Sequence, residues 1–352
     1  MSDPLSKYAP DLDACIRCGY CGADCPVRAR LGWESDSARG KAIIISGIMR
    51  GDISPSERIG EKLFQCSFCR DCEEKCSAGV PLVDIIAAAR GEMTRLGLAP
   101  ESAAKIAKNV LETGNIYGRE LDVPAREGEV LLYLGCQYLG RPNLARNWIR
   151  ILDALGLPPK IVPETCCGFP LKALGRRYEL ESQRERFREL VAGRDMITLC
   201  PTCACFIEEE YGIAARHVLE VIAELDFPKG ENLKVTYHDP CDLSRVRGVI
   251  EEPRELLRKI GAELVEMPRS GIHSACCGGG GGMLVSSDEL AGDIAKGRVR
   301  EAVATGADIL VTACPTCEKT LKDASRALKK SGNNWIRVRE LGALLKNLHR
   351  RR

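Results

Sequence analysis

The spacing of apolar residues divides the chain into a helical first third and a longer part in which strands alternate with helices. In the first third, apolar residues recur every three or four positions around 42–49 and over 82–96. A third such segment over 103–111 stops at Gly114. This spacing places the apolar side chains on one face of a helix. The sequence therefore predicts a mostly α-helical N-terminal region.

Beyond Pro124 the helical spacing gives way to short apolar runs of the kind found in buried strands. Charged amphipathic segments, such as 178–192 and 253–260, separate these runs and are predicted helices. Alternating strands and helices are typical of an α/β layered domain. The predicted strands are 130–134, 160–162, 196–199, 235–238, 263–265 and 309–312.

The second part of the chain is internally repeated. The cysteines of the first copy are Cys136, Cys166, Cys167, Cys200 and Cys203, and those of the second are Cys241, Cys276, Cys277, Cys314 and Cys317. Matching cysteines lie 105, 110 or 114 residues apart, so the copies differ only by small insertions. Several of these groups directly follow a predicted strand, and open α/β folds place their sites at that edge of the sheet. Two half-domains that face each other would bring both groups to a shared cleft.

Cysteine is the only residue type with unusual abundance. The chain has 352 residues and 19 cysteines, and residues 1–30 show no charged and then apolar leader. We therefore expect a reducing, intracellular setting, in which clustered cysteines are metal ligands or redox centres rather than disulfides. The net charge of +2 and the lack of an apolar run near 20 residues predict neither nucleic-acid binding nor direct membrane insertion. The basic end at 349–352 is interpreted as a solvated terminus.

The strongest motif is the spacing Cys-x2-Cys-x2-Cys-x3-Cys, which occurs twice before residue 80. Such runs hold two [4Fe–4S] cubanes, with the fourth cysteine of each run serving the other cluster. Zinc or disulfides are the alternatives, although zinc sites use pairs of ligands at other spacings. The predicted ligand sets are Cys15, Cys18, Cys21 and Cys76 for one cluster and Cys66, Cys69, Cys72 and Cys25 for the other.

The two Cys-Cys-Gly motifs of the repeats leave more interpretations open. Adjacent cysteines do not easily face one small ion in tetrahedral geometry, but they can flank a larger cluster. Iron–sulfur ligation is favoured over a zinc site in one repeat, a thiol redox centre or a strained vicinal disulfide. The run Gly278–Gly282 has no following Lys-Ser/Thr, which favours a loop packed on a cluster over a phosphate loop.

With its two complete five-cysteine sets, the second part resembles the cysteine-rich CCG domain of heterodisulfide reductases. With the eight-cysteine module in front of it, the whole chain resembles the D-type subunits of these enzymes, as do the segments 34–41 and 238–241. The resemblance implies an α+β multidomain fold, with a helical ferredoxin-type domain at 1–122 and a duplicated CCG domain at 123–352. The half-domains would be related by a pseudo-two-fold axis and span about 128–230 and 231–345.

The resemblance also implies the chemistry. Each five-cysteine set would hold a noncubane [4Fe–4S] cluster, the disulfide of coenzymes M and B would be cleaved between the two, and the cubanes would supply electrons. The nineteenth thiol, Cys205, is predicted to pack as a small apolar residue. Cations for this anionic substrate are predicted at Arg141, Lys172, Arg245 and Arg247.

Two functions follow from the resemblance. The first is a catalytic disulfide reductase, which the completeness of both five-cysteine sets favours. The second is a non-catalytic electron-transfer component of a membrane or flavoprotein complex of respiration or sulfur metabolism. Either implies a b-type cytochrome membrane protein or a flavin-containing protein as partner. The expected location is the cytoplasm, with contact to the inner face of the cell membrane only through that partner.

Overall fold

The computed structural model describes residues 5–161, 164–230 and 232–345. The first third is helical, as predicted, and the three segments with helical spacing fall in the helices Ala38–Arg50, Leu82–Arg95 and Glu101–Thr113. Gly114, with φ of +69°, ends the last of these helices. The helices of this part are α1 Ala9–Ala14, α2 Pro26–Leu31, α3 Ala38–Arg50, α4 Glu57–Phe64, α5 Asp71–Glu74, α6 Leu82–Arg95 and α7 Glu101–Thr113.

Packing of α3 and α4 against α6 builds the core of the first third. Ile45, Leu63 and Ile85 are completely buried at this junction. The Ser37 hydroxyl accepts a hydrogen bond from the Gly40 amide at 2.9 Å and so caps the start of α3. The first cysteine run lies between α1 and α2, and the second lies between α4 and α6 and includes the short helix α5.

The second part contains two four-stranded, fully parallel sheets. The strand order is β2-β1-β3-β4 in one and β6-β5-β7-β8 in the other, which is the same order in each repeat. The strands are β1 Val130–Tyr133, β2 Pro159–Ile161, β3 Met196–Thr198, β4 Ala215–His217, β5 Lys234–His238, β6 Glu263–Leu264, β7 Ile309–Thr312 and β8 Arg337–Glu340. All six predicted strands are confirmed, except that residue 162 lies outside the described residues.

Sequence reasoning missed the edge strands β4 and β8. β8 alternates exposed arginines with buried Val338 and Glu340, and β4 is only three residues long. Neither forms the continuous apolar run by which a buried strand is recognised. Parallel pairing with β3 and β7, rather than local composition, makes them strands.

Helices fill the connections between the strands and cover the sheets. The two predicted amphipathic helices are present at Arg177–Val191 and Glu251–Lys259. The helices of this part are α8 Cys136–Leu139, α9 Pro142–Ala154, α10 Phe169–Ala173, α11 Arg177–Val191, α12 Pro201–Tyr211, α13 Leu219–Ile222, α14 Glu251–Lys259, α15 Met283–Ser286, α16 Asp288–Ala304, α17 Pro315–Lys330 and α18 Leu341–Leu345.

The two repeats share one apolar core. Leu132 and Tyr133 of β1 belong to the same buried cluster as Tyr237 of β5 and Val311 of β7. A buried polar contact also joins them, because the Glu340 carboxylate accepts hydrogen bonds from Trp148 Nε1 at 2.9 Å and from the Tyr138 hydroxyl at 3.2 Å. The repeats therefore pack as one unit.

The predicted α+β multidomain class is confirmed. Within the described part of the chain, each helix is too short or too polar to cross a lipid bilayer.

Candidate iron–sulfur centres

The first predicted ligand set surrounds one recess near the protein surface. Its walls include four thiols, although one of them comes from the second cysteine run. Arg17 and Gly19, with φ of +57° and +85°, turn the first run around this recess. The thiols are those of Cys15, Cys18, Cys21 and Cys76.

The crowding of these four thiols shows what the recess suits. Burial, and after it the neighbouring thiolates, raise the pKa of the Cys21 thiol to about 11. Four thiolates crowded together repel one another unless positive charge lies between them. Iron supplies that charge in a cubane, so the residues fit a [4Fe–4S] cluster.

The second predicted set repeats this geometry at a more buried place. Phe68 and Arg70 have φ of +54° and +60°, at the positions in the second run that match Arg17 and Gly19 in the first. The Cys25 thiol lies close to those of Cys66 and Cys69, which oppose its ionisation. Burial is the main cause that raises the pKa of Cys25, Cys66 and Cys72. The structure therefore brings each run together with the last cysteine of the other.

In the first repeat, the five cysteines converge at the carboxyl edge of the sheet. The Cys203 and Cys167 sulfurs are 3.6 Å apart, Cys136 contacts Cys166, and Cys200 contacts Cys203. Helix α12 begins immediately after Cys200, so Cys203 lies in its first turn. Hydrogen bonds from the Cys166 and Cys203 thiols lower the pKa of Cys167 to about 6.

The second repeat has the same arrangement. The Cys317 and Cys277 sulfurs are 3.3 Å apart, and α17 begins immediately after Cys314. The Gly278 amide donates to the Cys276 sulfur at 3.2 Å, so the glycine run packs around the thiols. The Cys241 thiol lies near those of Cys276 and Cys277.

A histidine in the second repeat offers an alternative ligand. His238 has a ring nitrogen within 4.8 Å of the Cys277 and Cys317 sulfurs, so these three groups could hold a single metal ion. Burial lowers the pKa of His238 to about 3, and its Nδ1 accepts a hydrogen bond from Arg298 Nε at 3.1 Å. The ring is therefore neutral with its proton on Nε2, so it would have to give up the Arg298 hydrogen bond or lose that proton before it could bind a metal ion.

The two repeats face each other reciprocally. Helix α12 of the first packs on the turn Asp242–Val246 that follows the first cysteine of the second, and α17 of the second packs on α8 of the first. The Thr202 hydroxyl donates to Asp242 at 2.5 Å, and Arg141 donates to Glu318 at 3.1 Å. Each Cys-x2-Cys helix is thereby tied to the other repeat, which brings both five-cysteine sets to one interface.

The second ferredoxin run contacts the second repeat directly. The Cys276 thiol donates to Ser67 Oγ at 3.2 Å and also contacts the Cys69 thiol. Arg245 Nη1 donates to the Cys69 carbonyl at 2.8 Å. The Gly281 backbone comes so close that a Cβ atom there would lie 2.3 Å from the Cys66 carbonyl oxygen. The more buried ferredoxin set is therefore in contact with the second five-cysteine set.

A further recess opens where the ferredoxin module and both repeats meet. Lys172 lines it and pairs with Asp84 at 3.1 Å and Glu209 at 3.0 Å. Cys205 also lines it, and burial raises the pKa of its thiol, which donates to the Asp242 carbonyl at 3.4 Å. Its other walls are Phe68, Arg70, Val83, Phe169, Thr202, Phe206 and Val246.

The other three predicted cations form ion pairs or hydrogen bonds with groups of the protein itself. Arg141 pairs with Glu318, as above. Arg245 is buried and bonds Asp71 as well as the Cys69 carbonyl. Arg247 pairs with Glu208 and Glu220.

Three buried groups near the cysteines were missed. They are Arg90, Lys41 and Glu164, whose carboxylate accepts the Leu134 and Gly135 amides and whose pKa burial raises to about 8. Arg90 could have been recognised from the sequence, because it lies on the apolar face of α6, where a charged residue is unexpected.

Comparison with known proteins defines the class. Residues 11–80 match a 4Fe–4S dicluster domain, and residues 130–208 and 235–322 each match the CCG cysteine-rich domain. A crystal structure of a hypothetical protein from Helicobacter pylori has the same fold, with a TM-score of 0.62 over 99% of this chain and 72% of that chain, at 11% identity. The fold and the domains thus define an iron–sulfur oxidoreductase that binds [4Fe–4S] clusters.

The relatives narrow the class to a family. The chain is 30% identical to the D-type subunit of the dihydromethanophenazine:CoB–CoM heterodisulfide reductase of Methanosarcina barkeri, over 91% of this chain and 90% of that protein. It is 31% identical to the B-type subunit of the fumarate reductase (CoM/CoB) of Methanothermobacter marburgensis, over 95% and 72%. It is 26% identical to the glycolate oxidase iron–sulfur subunit of Escherichia coli, over 94% and 93%. The chain belongs to the family of heterodisulfide reductase D-type subunits.

Proposed function

We propose that the chain is a catalytic iron–sulfur protein that reduces the coenzyme M–coenzyme B heterodisulfide, or a related disulfide. The observation that carries the proposal is the convergence of two complete five-cysteine sets on one interface between the repeats. We assign each set to a noncubane [4Fe–4S] cluster and the two ferredoxin sets to cubanes. The domain division stays at 1–122 and 123–352, and the matched domains lie inside these bounds.

Reduction of a disulfide consumes two electrons and two protons and yields two thiols. [4Fe–4S] clusters transfer electrons one at a time. Two five-cysteine sets at one interface suit this requirement, because each can serve one sulfur of the substrate. The contact between Cys69 and Cys276 supports the second repeat as the first to receive electrons from the ferredoxin module.

The recess at the junction is the proposed substrate site. Thr202 from the first repeat and Asp242 from the second meet in its wall, so a ligand there would touch groups that follow a cysteine of each set. Lys172 would pair with an anionic group of the substrate, and Phe169 and Phe206 would contact its apolar part. Arg141, Arg245 and Arg247, which are engaged with protein groups, would position the walls.

A second function rests on a specific relative. The similarity to the Escherichia coli glycolate oxidase iron–sulfur subunit supports a non-catalytic electron-transfer role in a larger complex. In both cases we propose that a b-type cytochrome or a flavin-containing protein supplies the electrons.

The two functions differ in one assay. Anaerobically purified protein is supplied with reduced viologen and the heterodisulfide after its iron and sulfide have been measured. We expect four clusters per chain and turnover of the heterodisulfide. Four clusters without turnover would leave the electron-transfer function, and two clusters per chain would refute the noncubane assignment.

A further inference from the structure

Arg90 of α6 is completely buried where all three parts of the chain meet. Its guanidinium donates only to backbone carbonyls, and these belong to the ferredoxin module, the first repeat and the second repeat. Nε and Nη2 serve the ferredoxin module, and Nη1 serves both repeats at 2.6 Å. The acceptors are the carbonyls of Leu63, Phe64, Cys66, Ala173 and Gly281.

The charge of Arg90 has no carboxylate partner. Among the described residues, no carboxylate lies within ion-pair distance of Arg90 or of Lys41, which is also buried and donates to the Asp36 carbonyl at 2.6 Å. An uncompensated buried charge costs several kcal/mol. The negative groups that act on these cations are the Cys66 thiolate for both, and for Lys41 also the Cys25 thiolate and, more weakly, the Asp36 carboxylate, which is paired with Lys62. Both thiols belong to the second ferredoxin set.

The cations at the first ferredoxin set differ from Arg90 and Lys41 both in burial and in carboxylate pairing. Arg39 and Lys75 line its recess, and each is partly exposed. Each is also paired: Arg39 with Glu34, and Lys75 with Asp24 and Asp71. Solvent and carboxylates therefore screen these charges, while the charges of Arg90 and Lys41 act in a low-dielectric interior.

We propose that Arg90 and Lys41 raise the reduction potential of the cluster held by the second ferredoxin set above that of the cluster held by the first. Reduction adds a negative charge to a cluster, and a buried cation stabilises it. With both clusters bound, an electron from the external donor would therefore pass from the exposed cluster to the buried one, leaving the first oxidised and the second reduced. The inference rests on the proposed cubane assignment.

The test is a redox titration of the full-length, cluster-loaded protein followed by electron paramagnetic resonance. Arg90→Met and Lys41→Met should each lower the midpoint potential of one cubane signal and leave the other in place. We expect at least a tenfold change in the oxidised-to-reduced ratio at fixed potential, which is about 59 mV for a one-electron couple. Arg90→Lys keeps the charge and should restore most of the potential. Arg95→Met, on the same helix at an exposed residue paired with Glu92, is the matched control and should change neither signal.

The result that overturns the inference is a normal cluster content with no shift in Lys41→Met and Arg90→Met, or an equal shift of both signals. If Arg90→Met does not fold, Lys41→Met and Arg90→Lys still decide the question. Wild-type protein whose iron and sulfide analysis lacks the two cubanes would instead contradict the proposed function. The two failures are therefore distinguishable.

Discussion

The contact between the glycine run of the second repeat and the second ferredoxin run leads to a quantitative prediction. A Cβ at residue 280 would lie 2.4 Å from the Ser67 carbonyl oxygen, and one at residue 281 would lie 2.3 Å from that of Cys66. Both contacts are with backbone, so the two loops must separate by about 0.7 Å at residue 281 before the distance reaches 3.0 Å. Alanine at either position should push the second repeat away from the ferredoxin module.

Three substitutions distinguish the cost in stability of the close contact from the cost of the left-handed backbone conformation. Gly261→Ala is a control, because Gly261 has φ of +81° and no heavy atom near the added Cβ. It should cost about 1 kcal/mol for the left-handed conformation alone. Gly280→Ala has no such conformational cost and should lose about 1–3 kcal/mol through overpacking. Gly281, with φ of +57°, combines both, and its substitution should cost about 2–4 kcal/mol.

Anaerobic urea unfolding of the loaded protein measures these costs, and turnover with reduced viologen measures their effect on electron transfer. Gly280→Ala should lower turnover, because it separates the Cys66–Cys69 loop from Cys276. Gly261→Ala should lower stability without lowering turnover. Equal losses of stability and turnover in both variants would refute the claim that the glycine run sets the approach of the two parts.

Three further predictions follow from single residues. Cys203→Ala should lower iron per chain, whereas Cys205→Ala, two residues along α12, should leave it unchanged; equal iron in both variants would contradict the ligand assignment. Burial raises the pKa of Glu340 from 4.5 to about 7, so its folded-state cost is absent below pH 4.5 and reaches about 3 kcal/mol above pH 7. Unfolding midpoints measured from pH 5 to 8 should therefore fall less steeply in Glu340→Gln than in wild type, and parallel curves would contradict this. Lys172→Met should raise the KM for the heterodisulfide about tenfold, or ~1.4 kcal/mol, with a smaller change in kcat; an unchanged KM would remove Lys172 from the substrate site.

The sequence predicted those features that repeat at fixed spacing. Helical periodicity located α3, α6 and α7, and short apolar runs located the four inner strands β1, β3, β5 and β7 together with the edge strands β2 and β6. Burial on both faces leaves a strong local pattern in the inner strands. The cysteine offsets predicted the duplication, and both sheets have the same strand order. Edge strand β8 alternates buried and exposed residues over only four positions, too few to distinguish it from a loop.

Long-range partners could not be predicted from local pattern. Arg90 and Gly281 are far apart in sequence, and only the packing of the three parts makes them hydrogen-bond partners. The same holds for the contact of Cys69 with Cys276, which links two motifs that lie far apart in sequence. Nearness in sequence to a cysteine was also a poor guide to the substrate cations. Arg245 follows Cys241 closely, yet its side chain is buried among protein carbonyls.

The proposed function requires that a disulfide is reduced at the interface between the two repeats. The most direct measurement is the stoichiometry of a single anaerobic reaction of cluster-loaded protein with reduced viologen and the coenzyme M–coenzyme B heterodisulfide. We expect two viologens oxidised and two thiols formed for each disulfide consumed, with the activity lost in Cys167→Ala and in Cys277→Ala. Oxidation of viologen without thiol formation, by protein with all four clusters in place, would contradict the proposed function.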